Sequence, residues 1–323
     1  MRHSASKSGR SFGSIAVATA LGLTLVGCSG AAQPPSGASE SAKSKCKLGM
    51  TQINQTAAFF TQMNEGATKS ASAAGCALTI ANANNDSAKQ NSDIEAFVSQ
   101  GVTGIIVVAI DNNGVLPAVK AARDKGIKVV AVDTTLKDGA VDTTVGVDNE
   151  KAGAQIGQWV VDNKLAANAS YGVVDAKNSF IQNQREEGFL KVVNAAGAQY
   201  TQSVSGDNVQ EKAASAAQNL LTAQTKLNFV YTTGEPATVG AVAALKGNSQ
   251  TKIIGWDLTK EVIAGLDSGL VTAVVQQDPK QEGVEAVNEL KSLIGGGTAK
   301  GFIDVPITIV TKADVEPYRK IFP

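Results

Sequence analysis

The sequence predicts an α/β protein with two similar lobes, each built as a doubly wound parallel sheet. Short apolar runs alternate with amphipathic helical stretches from residue 47 to residue 310, and the connections between them are only a few residues long. That alternation is typical of parallel sheets with helices on both faces. The chain of 323 residues contains too many strand–helix units for one lobe of ordinary size, so we expect two.

The first half of the chain has the clearest strands. The runs GIIVVAI at 104–110 and KVVAVD at 128–133 are almost wholly apolar, which indicates strands buried on both faces. Gly75, Gly101 and Gly126 follow predicted helices, where a left-handed residue commonly ends the helix. In this half, strands are predicted at 47–52, 77–83, 104–110, 128–133 and 143–148, and helices at about 58–74, 86–100 and 114–124.

The second half repeats the alternation. Each predicted helix is separated from the next strand by a short polar connection, as expected for a second sheet of the same kind. We expect the last apolar run, FIDVPITIV, to be a strand close to the end of the chain. Helices are predicted at about 150–164, 182–196, 209–223, 236–246, 260–268 and 280–295, and strands at 170–176, 198–204, 227–233, 252–257, 271–277 and 302–310.

The start of the chain is typical of a secretory signal. Basic residues precede an apolar stretch at 12–27 that is too short for a comfortable membrane span. The residues LVG before Cys28 resemble the bacterial lipobox, in which the cysteine receives a diacylglyceryl group. We therefore expect a signal peptide over 1–27 and lipidation of Cys28. The alternative is an ordinary signal that ends in a small buried cysteine.

The segment after Cys28 has the composition of a flexible tether. Residues 28–45 are rich in Ser, Ala, Gly and Pro and have no apolar period, so they cannot bury enough surface to offset their ordering entropy. We expect the folded part to begin near Cys46. A lipid-anchored tether implies an extracytoplasmic protein held at the cell membrane.

Charge and composition exclude several classes of protein. Lys and Arg together equal Asp and Glu, at 29 each, and no long basic cluster follows the signal, so nucleic-acid binding has no electrostatic support. His3 is the single histidine and lies in the predicted signal. The mature chain therefore lacks an imidazole for a catalytic triad or a zinc site, and we predict neither a metal nor a cofactor.

Two cysteines remain after the predicted signal. Cys46 and Cys76 each begin a predicted strand, and the two strands are neighbours if they form a βαβ unit. Outside the cytoplasm the two thiols can pair. The sequence leaves open whether they form a disulfide or stay as two buried thiols.

Polar and aromatic side chains follow the predicted strands at their carboxyl ends, where open α/β sheets bind ligands. Carboxylates accept hydrogen bonds, a guanidinium donates them and amides do both, so together they suit a neutral ligand with many hydroxyl groups. Flat aromatic faces can cover the C–H face of a sugar. Taken singly, each residue could instead be a loop cap, a solvated charge or a core residue. The candidates are Asn54, Phe59, Phe60, Asp133, Thr134, Arg185, Gly234, Trp256, Asp257 and Gln277.

Five segments in order resemble those of the ribose-type periplasmic sugar-binding proteins, the type I solute-binding proteins of ABC importers. The resemblance covers about 46–310. It implies that two aromatic residues, Phe59 and Phe60, sandwich a sugar, and that Asp133 binds its hydroxyl groups. It further implies ligand-binding roles for Arg185, Trp256 and Asp257 and a hinge position for Gln277. The segments are FFTQMNEGA, KVVAVDTT, QNQREEGF, KIIGWD and AVVQQDPKQEG.

The resemblance implies the periplasmic binding protein type I architecture, with three hinge strands that join the lobes near 147–148, 277–279 and Pro306. The N-terminal lobe is then 46–147 plus 279–306. The C-terminal lobe is 148–278 plus 307–323.

Departures from the ribose-type pattern concern the ligand. Thr134 stands where these proteins usually have Arg, and Gly234 stands where they usually have Asn. Asn208 stands where an aromatic ring is expected, and the segment INQTAAFF replaces a turn rich in Asn and Pro. We therefore expect a ligand other than ribose, such as another pentose, a polyol, another small sugar or a furanose-derived signal.

The resemblance implies a sugar-capturing component of an ABC importer that closes its lobes on the ligand, delivers it to a membrane permease and acts as a monomer. One alternative is a receptor that feeds a signalling partner. Another is an extracellular glycosidase using Asp133 and Asp257, although we expect Arg185 to lower the pKa that such an acid needs raised. A repressor of the same fold would need a DNA-binding helix-turn-helix where this chain has a signal and tether.

Overall fold

The computed structural model describes residues 46–54, 58–137, 139–248 and 250–322. The predicted signal peptide, Cys28 and the predicted tether lie outside the described residues. In chain order the strands are β1 Lys47–Gln52, β2 Ala77–Asn82, β3 Gly104–Val107, β4 Lys128–Val132, β5 Thr143–Gly146, β6 Ser170–Asp175, β7 Gln199–Ser205, β8 Phe229–Thr232, β9 Lys252–Trp256, β10 Val271–Gln276, β11 Gly301–Asp304 and β12 Thr308–Val310.

Helices connect nearly all of these strands. The α-helices are α1 Ala58–Ala73, α2 Ser87–Ser99, α3 Leu116–Asp124, α4 Asn149–Asp162, α5 Phe180–Ala195, α6 Gln210–Ala223, α7 Glu235–Ala244, α8 Lys260–Ser268 and α9 Pro279–Ile294, and a short 3₁₀ helix spans Glu316–Tyr318.

The strands form two six-stranded sheets, which confirms the predicted fold class. The first sheet has the order β11-β5-β4-β3-β1-β2, and the second has the order β12-β10-β9-β8-β6-β7. All pairings are parallel except that of β12 with β10. Every residue of β3 and of β8 is buried, as expected for central strands with helices on both faces.

The chain passes between the two sheets three times: after β5, after β10, and between β11 and β12. The predicted strand 302–310 is therefore two strands, because Pro306 divides it and each half pairs with a different sheet. Proline cannot donate a ladder hydrogen bond, which makes it suitable for the position between the sheets. The exact lobe boundaries given above stay a prediction.

Paired glycines bring two helices together in each lobe. A Cβ on Gly153 of α4 would lie 2.1 Å from the carbonyl oxygen of Arg185 on α5. In the other lobe, a Cβ on Gly283 of α9 would lie 2.2 Å from the carbonyl oxygen of Met63 on α1. Only a residue without a Cβ permits so close a backbone approach. The two helix pairs therefore have corresponding geometry, and α4 and α9 occupy corresponding positions.

The two cysteines that follow the predicted signal form a disulfide. Cys46 and Cys76 are joined in the structure, with their Cα atoms 4.7 Å apart. The bond links the starts of β1 and β2, which pair in parallel from Lys47 and Ala77 onward. Among the described residues, no helix is long and apolar enough to cross a membrane.

Candidate ligand-binding site

A cavity of about 490 Å³ lies where the carboxyl ends of the two sets of strands meet. The first lobe contributes the start of α1 and the residue after β4, whereas the second contributes α5 and the loops after β8 and β9. Seven of the ten predicted binding residues line this cavity. They are Phe59, Phe60, Asp133, Arg185, Gly234, Asp257 and Gln277.

Asp133 and Asp257 occupy corresponding positions in the two lobes. Each directly follows a strand and has a left-handed backbone, with φ of 50° and 61° respectively. Each donates its backbone N–H to the neighbouring strand: Asp133 to the carbonyl of Val145 at 3.0 Å, and Asp257 to that of Val275 at 2.8 Å. Aspartate tolerates this conformation better than most residues, and such backbone outliers concentrate at functional sites.

Burial dominates the protonation of both carboxyl groups. It raises the pKa of Asp133 to about 7, with Asp257 adding to the rise and Arg185 opposing it. Burial also raises the pKa of Asp257, against the opposing effects of Arg185 and of a hydrogen bond from Gln277. Arg185 lowers the pKa of both carboxyl groups, as expected, but the loss of hydration outweighs the guanidinium charge, so the net shift is upward.

Arg185 is held by neutral groups on three sides and is only 3% exposed. Its Nε donates to Asn149 Oδ1 at 2.7 Å, and its Nη1 donates to the carbonyl of Thr233 at 3.2 Å. Its Nη2 donates to Gln277 Oε1 at 3.2 Å, and Gln277 Nε2 in turn donates to Asp257 Oδ1 at 2.8 Å. Protein groups alone thus hold the side chain in this position.

Trp256 lies beneath the guanidinium. The Cζ atom of Arg185 is 3.9 Å from the centroid of the Trp256 ring, which is a cation–π contact. The indole Nε1–H donates to the hydroxyl of Tyr231 at 2.8 Å, and that hydroxyl donates to the backbone carbonyl of Arg185 at 3.3 Å. Trp256 therefore supports Arg185 from within the second lobe.

Phe59 and Phe60 form the aromatic wall on the other side of the cavity. Their ring centroids are 5.3 Å apart and the rings are nearly perpendicular, at 87°. Both are partly buried against the core of the first lobe. The wall therefore combines apolar surface with a rigid position.

An amide that was not among the predicted residues also borders the cavity. Gln182 is 6% exposed; its Nε2 donates to Asn208 Oδ1, and its Oε1 accepts from Thr233 Oγ1, both at 2.8 Å. A Cβ on Gly234 would lie 2.8 Å from the Gln182 amide carbon, so the glycine leaves room for this side chain. Gln182 lies one helical turn before Arg185, and that spacing was a usable signal.

Three predicted residues lie outside the cavity lining. Trp256 is fully buried: Arg185 covers its ring, and its indole N–H donates a hydrogen bond to the hydroxyl of Tyr231. Thr134 is 8% exposed and donates from Oγ1 to Asn112 Oδ1 at 2.7 Å. Asn54 donates from Nδ2 to Asn85 Oδ1 at 3.5 Å, at the edge of the described segment.

A second, larger groove of about 960 Å³ runs along α3 and the segment that leads into β5. All of its lining residues lie in the first lobe, between Asn113 and Asp142. A ligand in this groove would therefore contact the first lobe alone. The cavity around Arg185, which both lobes line, is the better candidate for the ligand-binding site. Within the described ranges, no cluster of three His, Cys, Asp or Glu side chains could hold a metal ion.

Comparison with known proteins agrees with this geometry. The model of a family described as "periplasmic binding protein domain" matches residues 48–298, which is most of the chain. The chain belongs to the periplasmic binding protein domain family. Members of this family are binding proteins, and the type I architecture predicted from the sequence is confirmed.

Individual members of the periplasmic binding protein family are similar over most of their length. The ribose import binding protein of Bacillus subtilis (strain 168) is 26% identical over 272 residues, which cover 84% of this chain and 88% of that protein. A glycerol-bound ABC transporter solute binding protein from Mycobacterium smegmatis is 27% identical, with a TM-score of 0.72 and coverage of 84% and 96%. AraP, an arabinose binding protein from Geobacillus stearothermophilus, has a TM-score of 0.79 at 18% identity, with coverage of 84% and 99%, and shows the fold alone.

Proposed function

We propose that this protein is the sugar-binding component of an ABC importer and delivers a small monosaccharide or polyol to a membrane permease. One observation carries the proposal: a single cavity takes Asp133 and the Phe59–Phe60 wall from one lobe and Arg185 and Asp257 from the other. Carboxylates, a guanidinium and amides around an aromatic wall match the hydroxyl groups and C–H face of such a ligand.

The relatives support a ligand of this class. The ribose import binding proteins of Bacillus subtilis and Escherichia coli are 26% and 24% identical to this chain.

The hydrogen-bond donors of the cavity differ from those of a ribose-type site. Thr134 is not part of the cavity lining and Gly234 has no side-chain donor, so a ligand finds fewer donors than in a ribose-type site. A pentose other than ribose, a polyol or another small sugar therefore fits better.

Closure follows from the division of the site between the lobes. A ligand that bonds to both lobes binds the closed form more tightly than the open form, so it shifts the population toward closure. The three crossings between the sheets form the hinge. Closure of two domains around a ligand by hinge motion is a general type of conformational change, and periplasmic binding proteins are a standard example of it. The closed protein then docks on the permease.

A thermal-shift screen of the purified protein against pentoses, hexoses, polyols and nucleosides tests the proposal. A ligand at 100 times its Kd adds about 2.7 kcal/mol of stability, which raises the melting temperature measurably. We expect at least one pentose, hexose or polyol to do so. No stabilisation by any sugar or polyol would contradict the proposal.

We also propose that Cys28 carries a lipid anchor and that residues 28–45 tether the binding lobes to the membrane. The support is sequence alone, since these residues lie outside the described part of the chain. Cell fractionation tests this: the wild-type protein should stay with membranes and a Cys28→Ala variant should be released. Release of both proteins to the same extent would contradict the anchor.

A glycosidase remains the alternative that has a structural argument, because burial raises the pKa of Asp133 to about 7 in a site with a second carboxylate. Family membership favours binding over catalysis. Incubation of the protein with aryl glycosides distinguishes the two functions, and we expect no release of the aryl group. Turnover that Asp133→Asn abolishes would favour the enzyme.

A further inference from the structure

The buried part of the cleft carries more carboxyl groups than cations. Asp133 and Asp257 line it together with one guanidinium, that of Arg185. The remaining charged residues of the lining, Glu235 and Lys260, are exposed at its rim and have opposite charges, so water and salt screen them. The interior of the site therefore has one carboxylate more than it has cations.

The guanidinium does not pair directly with either carboxylate. Its hydrogen bonds go to Asn149, Thr233 and Gln277, which are all neutral. Across the described ranges, no Lys, Arg or His nitrogen lies within 4.0 Å of an oxygen of Asp133 or Asp257. Two partly buried carboxyl groups thus lack the close cation that buried charges normally have.

A third carboxyl group, Glu282, lies behind the site. It is in the first turn of α9, which begins two residues after Gln277 and packs on β4, the strand that ends beside Asp133. Glu282 is 0% exposed, and neither of its oxygens has a hydrogen-bond partner among the described residues. Burial and the fields of Asp133, Asp278 and Asp257 all raise its pKa.

The fold itself does not need an acid at this position. Asp148 and Asp278 cap α4 and α9 in the same way, and Gly153 and Gly283 make the corresponding close approaches five residues later. The residue of α4 that corresponds to Glu282 is Ala152, which is buried at 2% exposure. Because an alanine serves in one lobe, packing does not require the carboxyl group of Glu282 in the other, and its raised pKa favours the protonated form.

We propose that the ligand of this cleft is a polyhydroxylated molecule that carries a protonated amine, such as an amino sugar or an amino polyol. This inference rests on the proposed sugar-binding function and narrows its ligand class. An ammonium group offers three donors to Asp133 and Asp257, whose carboxyl groups between them accept one hydrogen bond from the side chains of the described ranges, that from Gln277.

A neutral sugar satisfies the hydroxyl-binding part of this site but supplies no cation to its carboxyl groups. With no cation in the ligand, the empty or sugar-bound cleft must retain a proton, which is consistent with the raised pKa of Asp133. An ammonium group replaces that proton and forms charge-assisted hydrogen bonds in a buried setting. Carboxyl groups that ionise when an ammonium group binds therefore discriminate an amine from the hydroxyl group of the parent sugar.

Titration calorimetry with four matched pairs tests this: glucose and glucosamine, galactose and galactosamine, mannose and mannosamine, and sorbitol and glucamine. We expect the tightest ligand of the eight to be an amine, bound at least about tenfold more tightly than its parent, because truncating a buried charge pair costs several kcal/mol. In Glu282→Gln and in Glu282→Ala, which copies Ala152, the ratio of amine to parent affinity should fall, because neither replacement can ionise when an ammonium group binds, while the affinity for the parent stays within about threefold.

Asp124→Asn is the matched control, because Asp124 is an exposed carboxylate paired with Lys120 on α3. It should leave the ratio unchanged. If no amine binds more tightly than its parent while neutral sugars or polyols do bind, the amine inference is overturned and the sugar-binding function stands. If none of the eight ligands and no other sugar or polyol binds, both are overturned.

Discussion

The guanidinium carbon of Arg185 lies 3.9 Å above the centre of the Trp256 ring, and a single hydroxyl, that of Tyr231, joins the indole N–H to the backbone of Arg185. This arrangement fixes a buried cation without neutralising it. The carboxylates of Asp133 and Asp257 are fixed by corresponding backbone geometry in the two lobes. The cleft thus presents rigid groups to its ligand, and the cost of ordering them on binding is small.

Replacement of Trp256 by leucine should weaken sugar binding by about tenfold, because a desolvated cation–π contact contributes about 1–2 kcal/mol. Arg185 would lose the surface that supports it and move out of position. Titration calorimetry measures the effect. The control is Trp159→Leu, since Trp159 packs in the same lobe without the Arg185 contact and should affect stability alone. Equal affinities in the two variants would contradict the supporting role.

Gly153→Ala should reduce both stability and affinity, because the new Cβ would lie 2.1 Å from the carbonyl oxygen of Arg185 and force α5 away from α4. Gly157→Ala on the same helix is the matched comparison, since its Cβ would be 3.1 Å from the nearest atom, a side-chain carbon of Val192. We expect the second variant to bind nearly as well as the wild type. A loss of affinity that is the same in both variants would argue against the close approach.

Asp133→Asn should stabilise the ligand-free protein, and more so as the pH rises. The pKa of Asp133 is raised from 3.8 to about 7 by burial, so between these values the folded state binds more protons than the unfolded state. The wild type therefore loses stability as the pH rises through this window, and the loss reaches at most about 4 kcal/mol above it. Urea unfolding at acid and mildly alkaline pH measures the difference, with Asp124→Asn as the exposed control.

Removal of the disulfide by a double Cys46→Ser and Cys76→Ser change should lower the free energy of unfolding by about 3 kcal/mol, as expected for a closed loop of this size. The bond lies at the starts of β1 and β2, far along the strands from their carboxyl ends, so ligand affinity should not change. Urea unfolding and calorimetry on the same protein check both statements. Wild-type stability in the double variant would show that the thiols are not paired.

Much of the fold could be predicted because its strands are buried on both faces and its helices are amphipathic. The helix at 260–268 has the predicted bounds, and Gly75, Gly101 and Gly126 have the expected left-handed conformation. The division of the apolar run 302–310 at Pro306 was harder to predict, because both halves are apolar. The sheet to which each half belongs depends on tertiary pairing. Local periodicity carries no information about that choice.

The positions of the two candidate aspartates could be predicted from the strand ends, whereas the orientation of individual side chains could not. Strand ends locate Asp133 and Asp257, because parallel strands bring their carboxyl ends to one edge. Strand ends do not show which way a ring faces in a strand that is buried on both faces, so Trp256 was expected at the ligand and instead lies beneath Arg185. Glu282 was missed because an acid in the first turn of a helix usually faces solvent and complements the helix dipole.

The most direct test of a sugar site shared by both lobes is titration calorimetry of the wild type, Asp133→Ala and Arg185→Ala with the sugar or polyol that the thermal-shift screen identifies. Each variant removes one buried partner from a different lobe, at a cost of about 1–3 kcal/mol or more for charged groups. Both should therefore bind at least about tenfold more weakly than the wild type. Wild-type affinity in both variants would contradict the assignment of this cleft as the binding site.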